Sequence, residues 1–189
     1  AAPGGKTAQL VQAGARVTAV DMSASRLKRL KINLDRLGLS ADIVEADLAK
    51  WTPAMPFDAI LLDAPCSSTG TVRRHPDVPW TKRGEDIAKL AGVQRRLLAA
   101  AVKLLRPGGT LVFSNCSLDP QEGENLVTSF LEQTDGIVLD PVRPDEFAGL
   151  APFVTASGHV RTTPADLDLG RPSLSGLDGF FAARFRRLA

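Results

Sequence analysis

Three aspartates, Asp21, Asp47 and Asp63, each close a short run of β-forming residues, and helical patterns separate the runs. The runs cover residues 16–20, 41–46 and 57–62. Between the first two, Leu27, Leu30, Leu34 and Leu37 recur at helical spacing, with Lys28, Arg29, Lys31 and Arg36 on the opposite face. Ser23 or Ser25 is placed to cap that helix, and Gly38 to end it. Strands that alternate with helices of this length pair in parallel through right-handed crossovers. The expected fold is therefore α/β, with a doubly wound, mostly parallel sheet. Ligands of such sheets sit beyond the carboxyl ends of the strands, which is where the aspartates fall.

The remaining pattern extends this alternation. The apolar end of the run 57–62 predicts a strand buried on both faces. A polar loop then leads to about Arg83. The next helix carries Ile87, Leu90, Val93, Leu97, Leu98, Ala101, Leu104 and Leu105 toward a core, and Pro107-Gly108-Gly109 stops it. A fourth strand, 110–113, ends at Ser114-Asn115-Cys116-Ser117, and a helix over 120–134 follows. Residues 141–178 read as loop-rich, and 179–185 as a last strand. At the front, Pro3-Gly4-Gly5 forms a turn that opens directly into a helix over 6–12, which Gly14 closes.

Composition narrows the class. The chain has 189 residues, 44% of them hydrophobic, which suits one domain with a real core. Lys and Arg number 23 against 21 Asp and Glu, so a polycationic tail is excluded but local basic patches are not. No apolar stretch reaches membrane-spanning length, and no membrane partner is expected. Two cysteines exclude a disulfide scaffold and a four-cysteine zinc site, so no metal is expected, and they fit a reducing cytoplasm.

The chemistry-bearing residues gather at the strand ends. A helix N-terminus behind a glycine turn attracts an anion, and an acid one strand later accepts hydrogen bonds from ribose hydroxyls. Together they describe a nucleoside-type cofactor with a negative group near the turn. Each aspartate taken singly fits equally well as a strand-end cap. Cys66 and Cys116 follow the third and fourth strands, so both thiols open onto one cleft if those strands are neighbours. A lone cysteine is ordinarily a small buried hydrophobe, but these two lie among Ser, Thr, Asp and Pro, and a thiolate nucleophile is the stronger reading. The loop carrying Arg73, Arg74, His75 and Trp80 suits phosphate contact and stacking on an unpaired base. It fits equally a solvated loop with Trp80 tucked into the core.

Read in order, Ala1-Ala2-Pro3-Gly4-Gly5-Lys6-Thr7, Asp63-Ala64-Pro65-Cys66-Ser67, Arg74-His75-Pro76-Asp77, Asn115-Cys116-Ser117 and Asp178-Gly179-Phe180-Phe181-Ala182-Ala183 resemble the catalytic domain of the NOL/NOP/Sun family of RNA cytosine-C5 methyltransferases. The resemblance covers essentially the whole chain and is nearest to the B type that acts on bacterial small-subunit ribosomal RNA. It implies a Rossmann-like class I fold and S-adenosylmethionine as cofactor. Ala2, Pro3, Gly4, Gly5 and Lys6 would line its methionine end, Asp21 would hold the ribose, Asp47 would lie near the adenine and Asp63 near the reacting end. It further implies Cys116 as nucleophile, Cys66 as the group that assists product release, and Asp63 on the edge of the target base. Asn115 departs from the threonine usual before the nucleophile. Arg73, Arg74, His75 and Arg184, with Arg186 and Arg187, become candidates for contact with ribosomal RNA, and a monomer is expected.

The resemblance also implies that the chain lacks its first, central strand, which in the family leads into the cofactor turn, along with an RNA-binding region upstream. Low stability and weak cofactor binding are the corresponding expectations. Two other enzyme classes fit the pattern less well. A DNA cytosine-C5 methyltransferase would use the Pro-Cys thiol, here Cys66, as nucleophile. A phosphate-binding-loop NTPase needs an earlier glycine than this chain has. A non-catalytic RNA-binding module is the remaining alternative.

Overall fold

The computed structural model describes residues 1–171 and 174–189, which form two compact units, Ala1–Pro53 and Ala54–Ala189.

The first unit is α1 (Gly5–Gln12), β1 (Thr18–Asp21), α2 (Ala24–Leu37) and β2 (Asp42–Glu45). Strands β1 and β2 pair in parallel, with Asp21 opposite Glu45. Ser23 begins α2 from an extended conformation, its hydroxyl accepting from the Arg26 amide at 3.4 Å. Gly38 ends it in the left-handed region, φ 65°, which a residue with a β-carbon adopts only at a cost. Leu30 and Leu34 of α2 pack with Ala19 of β1 to form the core. Leu37, expected on the same face, is the last residue of α2 and is half exposed.

The second unit contains β3 (Phe57–Asp63), the one-turn α3 (Val78–Thr81), α4 (Gly84–Leu104), β4 (Leu105–Asn115), α5 (Glu124–Glu132), β5 (Ile137–Leu139), β6 (Val160–Thr162) and β7 (Phe180–Arg187). The strand order is β3-β4-β7-β5, with β6 also on β7. The parallel pairing expected from the sequence holds for β1 with β2 and for β3 with β4, while β7 runs antiparallel to β4, β5 and β6, so the sheet of the second unit combines both directions. Among its described residues the connection before β7 carries no α-helix, the usual crossover element of a parallel return.

Alternation along β7 turns Phe181, Ala183 and Phe185 inward. Phe113 meets Phe181 edge to face at 6.3 Å, and Phe130 meets Phe185 likewise at 6.3 Å. Leu98, Leu105 and Leu111 complete this core. Strand β3 is buried less than its apolar run predicts: Leu62 is buried and Leu61 is 37% exposed, since β3 lies at the sheet edge. The Pro107-Gly108-Gly109 segment falls inside β4 instead of separating helix from strand, as a bulge against Phe57–Ala59. The helix expected from Pro120 begins only at Glu124, because residues before it are engaged in turns, with Glu122 donating its amide to the Asp119 carbonyl. No helix among the described residues is long and apolar enough to cross a membrane.

Candidate active site

The site begins with the parallel pairing of β3 and β4. Register places Asp63 opposite Ser114, and the Ala64 amide donates to the Ser114 carbonyl at 2.9 Å. Both strands therefore end together, and the segments leaving them carry Cys66 and Cys116 side by side. Their sulfurs lie 3.4 Å apart. The neighbouring Ser68 adopts the left-handed region, φ 61°, and holds its hydroxyl 3.9 Å from the Cys66 sulfur and 3.6 Å from that of Cys116. A non-glycine residue there is uncommon and collects at functional sites.

The two thiols are not equivalent. A hydrogen bond from Cys66, aided by Ser68, brings the Cys116 pKa down to about 6, although burial and the charge of Asp63 push the other way. The same hydrogen bond to Cys116, then burial and the Cys116 charge, push the Cys66 thiol well up. These directions favour Cys116 as the thiolate and Cys66 as the proton donor beside it.

Behind the sulfurs lies a buried polar network that the sequence reading missed. Gln94, Asn115, Ser117, Ser67 and Glu122 are all buried. The Asn115 amide donates to the Glu122 carbonyl at 2.7 Å, and its oxygen accepts from the Ser117 amide at 2.9 Å. Gln94 carries a readable signal: it is a polar residue on the apolar face of α4, four positions before Leu98. Glu122, in a polar turn, carries none. Arg161 is a second omission. It binds Glu124 at 2.7 Å, donates to the Ser117 carbonyl at 2.6 Å and lies 4.7 Å over the Phe181 ring.

Gly70 ties the first cysteine loop to the second and to β7. Its amide donates to the Cys116 carbonyl and its carbonyl accepts from the Gly179 amide, each at 2.8 Å. The adjoining loop is pinned by its arginines. Arg73 donates to the Ser175 carbonyl at 2.6 Å and Arg74 pairs with Asp178. His75 is exposed, and Trp80 is 90% exposed rather than tucked into the core. Arg184 is placed differently from the RNA-contact expectation. Its guanidinium is taken up by Glu146, by Asp140 at 3.2 Å and by the Pro141 carbonyl at 3.1 Å. Arg186 binds Asp140 at 3.2 Å, and Arg187 donates to the Leu105 carbonyl. These three arginines fasten β7 to its neighbours.

The first unit holds the other candidates. Gly4 precedes α1 with φ 107°, and a β-carbon there would stand 3.3 Å from Leu30 Cγ, so the turn packs on α2 only as glycine. A β-carbon on Gly5 would meet nothing within 4 Å, and no side chain caps the helix. The α1 N-terminus is thus an open anion-binding end. The Asp21 carboxylate accepts from the Ser23 amide at 3.1 Å and the Ala2 amide at 3.4 Å, drawing it onto this turn. Burial raises its pKa, and the Ser23 and Ala2 amides oppose that rise. Asp47 caps its own turn, accepting from the Ala49 amide at 3.0 Å. A glycine turn, an open helix end and an adjacent carboxylate fit a nucleoside cofactor bearing a charged tail.

Comparison with known proteins agrees with this construction. The family model described as 16S rRNA methyltransferase RsmB/F matches residues 1–186. The ribosomal RNA small subunit methyltransferase B of Vibrio cholerae is 47% identical over 152 residues, covering 76% of this chain and 35% of that protein. The Shewanella oneidensis protein of the same name is 46% identical over 145 residues, covering 74% and 34%. The chain therefore spans about a third of the length of these curated relatives. Among solved structures, NSun6 from Pyrococcus horikoshii with SFG superposes with a TM-score of 0.77 at 32% identity, covering 100% of this chain and 46% of that one. The N-methyltransferase NodS of Bradyrhizobium japonicum, at 18% identity, TM-score 0.53 and coverage of 98% and 74%, shares the fold alone. With a match running from the glycine turn through β7, the chain belongs to the 16S rRNA methyltransferase RsmB/F family.

Proposed function

We propose that this chain carries the catalytic apparatus for methylating carbon 5 of a cytosine in small-subunit ribosomal RNA, with Cys116 as the covalent nucleophile. The observation that carries the reading is the 3.4 Å cysteine pair at the ends of β3 and β4. Carbon 5 of cytosine is a poor nucleophile. Addition of the Cys116 sulfur to carbon 6 forms an S–C bond and moves the C5–C6 π electrons onto carbon 5, which then accepts a methyl group. S-adenosylmethionine, the cofactor of the family, supplies that methyl as an electrophile. Ala2, Pro3, Gly4, Gly5 and Lys6, with Asp21 and Asp47, are the residues to hold it.

The product is released when carbon 5 loses its proton and the S–C bond breaks, returning the electron pair to Cys116. Cys66 suits the role of base. Its pKa is held up first by the hydrogen bond to the Cys116 thiolate, then by burial and the Cys116 charge. Once Cys116 is bonded to carbon 6, the two contributions from its thiolate vanish, and Cys66 can release its own proton to solvent water and then accept that of carbon 5. Asp63, at the end of β3, is assigned to the N3 and amino edge of the base, where its carboxylate accepts from the amino group and stabilises the adduct once N3 is protonated.

The target base must be unpaired to enter. Arg73, Arg74 and His75 are the proposed backbone contacts, and the exposed Trp80 beside them supplies a stacking face. Bisulfite sequencing of small-subunit ribosomal RNA tests the reading, using cells in which the gene encoding this chain carries Cys116→Ala. One cytosine protected in the wild type and converted in the variant is expected. An identical conversion pattern in the two would overturn it.

A further inference from the structure

Glu122 is a fully buried carboxylate with no part in the chemistry proposed above. Its Oε1 accepts from the Ser67 amide at 3.0 Å and from Gln94 Nε2 at 2.8 Å. Its Oε2 accepts from the Ser67 hydroxyl at 2.5 Å. The same Gln94 nitrogen donates to the Pro65 carbonyl at 2.8 Å. Pro65 and Ser67 are the two residues that flank Cys66. On the other side, the Glu122 carbonyl accepts from Asn115, which precedes Cys116, and the Ser67 and Ser117 hydroxyls meet at 3.1 Å.

Glu122 thus holds Ser67 on one side of Cys66 directly, Pro65 on the other side through Gln94, and the residue before Cys116. A buried carboxylate needs several donors to be tolerated, and for stability alone an apolar residue of similar size serves as well or better. What the charge adds is specificity of position, since both oxygens accept only from donors set at fixed angles. We propose that Glu122 is a positioning residue that fixes the Cys66–Cys116 separation and thereby selects Cys116 as the nucleophile. The selection of a nucleophile rests on the function proposed above; the fixed separation does not.

Replacing the carboxylate by an amide sets the argument out. In Glu122→Gln the charge is lost and one oxygen becomes an NH2 group: in place of Oε1 it would face the Ser67 amide and Gln94 Nε2, two donors, and in place of Oε2 it would turn the Ser67 hydroxyl from donor to acceptor. The loop at residues 65–69 then shifts, and Cys116 loses the thiol that donates to it.

The test is the pH profile of iodoacetamide alkylation at Cys116, read by mass spectrometry of its peptide, with neither RNA nor methyl donor present. Wild type, Cys66→Ala, Glu122→Gln and Ser67→Ala are compared, with circular dichroism confirming the fold. Glu122→Gln is expected to shift the midpoint upward as far as Cys66→Ala does. Full release toward a free thiol near ~8.5 lowers the rate at pH 7 by about thirtyfold. A folded Glu122→Gln with the wild-type midpoint would overturn the proposal. If Glu122→Gln does not fold, Ser67→Ala decides, since it removes one donor and leaves the backbone donor. An upward shift supports the proposal and an unchanged midpoint overturns it. Because only thiols are read, failure of the wild type to methylate RNA would count against the proposed function and not against this inference.

Discussion

The sulfurs of Cys66 and Cys116 stand 3.4 Å apart although fifty positions separate the two residues in the chain. Parallel pairing of β3 with β4 produces this contact by ending both strands at one level. One proton is shared between the thiols. Cys116 alkylation should therefore be half-maximal near pH 6 and fall about tenfold for each further unit of acidification. In Cys66→Ala the donor is gone, and the midpoint should rise toward that of an ordinary thiol. A wild-type midpoint above pH 8 would contradict the assignment.

Asp63 works against the thiolate it stands beside, since its charge raises the Cys116 pKa. Asp63→Asn should therefore make Cys116 more reactive to alkylation at acid pH. Methyl transfer should move in the opposite direction, falling about 10²-fold, because the base edge loses its charged partner. Measuring both rates on one sample separates the two roles. Parallel changes would contradict them.

Much of this was legible in the sequence. The Leu27, Leu30 and Leu34 spacing located the core face of α2, and the two Cys loops, expected to share a cleft if their strands were neighbours, do meet. The antiparallel course of β7 was not legible, because an alternating apolar strand reads the same in either direction. Glu122 was not legible either. Its burial depends on donors from Ser67 and Gln94, which are 55 and 28 positions away. Arg184 read as an exposed cation because its partners, Asp140 and Glu146, reach it only through the pairing of β7. No local pattern records such contacts.

Glycine substitutions separate the site's close approaches from ordinary helix. A β-carbon on Gly70 would lie 2.2 Å from the Gly179 carbonyl oxygen and 2.7 Å from that of Cys116. Gly70→Ala should cost about 1–3 kcal/mol and abolish methyl transfer as the cysteine loops part. Gly92, within α4, would meet nothing within 4 Å. Gly92→Ala should stabilise by about 1 kcal/mol and leave activity intact. Denaturant melts of both check the contrast.

His159 is buried against Phe181 at 5.3 Å, and neither ring nitrogen has a hydrogen-bond partner. Burial lowers its pKa, opposed by the charge of Glu124, so the folded state favours the neutral ring. The unfolded chain takes up that proton first. Stability from this residue is thus complete above pH 6.5 and is lost as pH falls through that value toward the folded pKa. His159→Leu should flatten the decline in Tm below pH 6.5. An unchanged slope would contradict this account.

The most direct measurement is covalent trapping on RNA containing 5-fluorocytidine, where the fluorine cannot leave as a proton would and the adduct persists. With S-adenosylmethionine present, the wild type should form a complex stable to denaturation, and peptide mapping should place the RNA on Cys116. Cys66→Ala should still form the complex, and Cys116→Ala should not. A complex retained in Cys116→Ala and lost in Cys66→Ala would contradict the account.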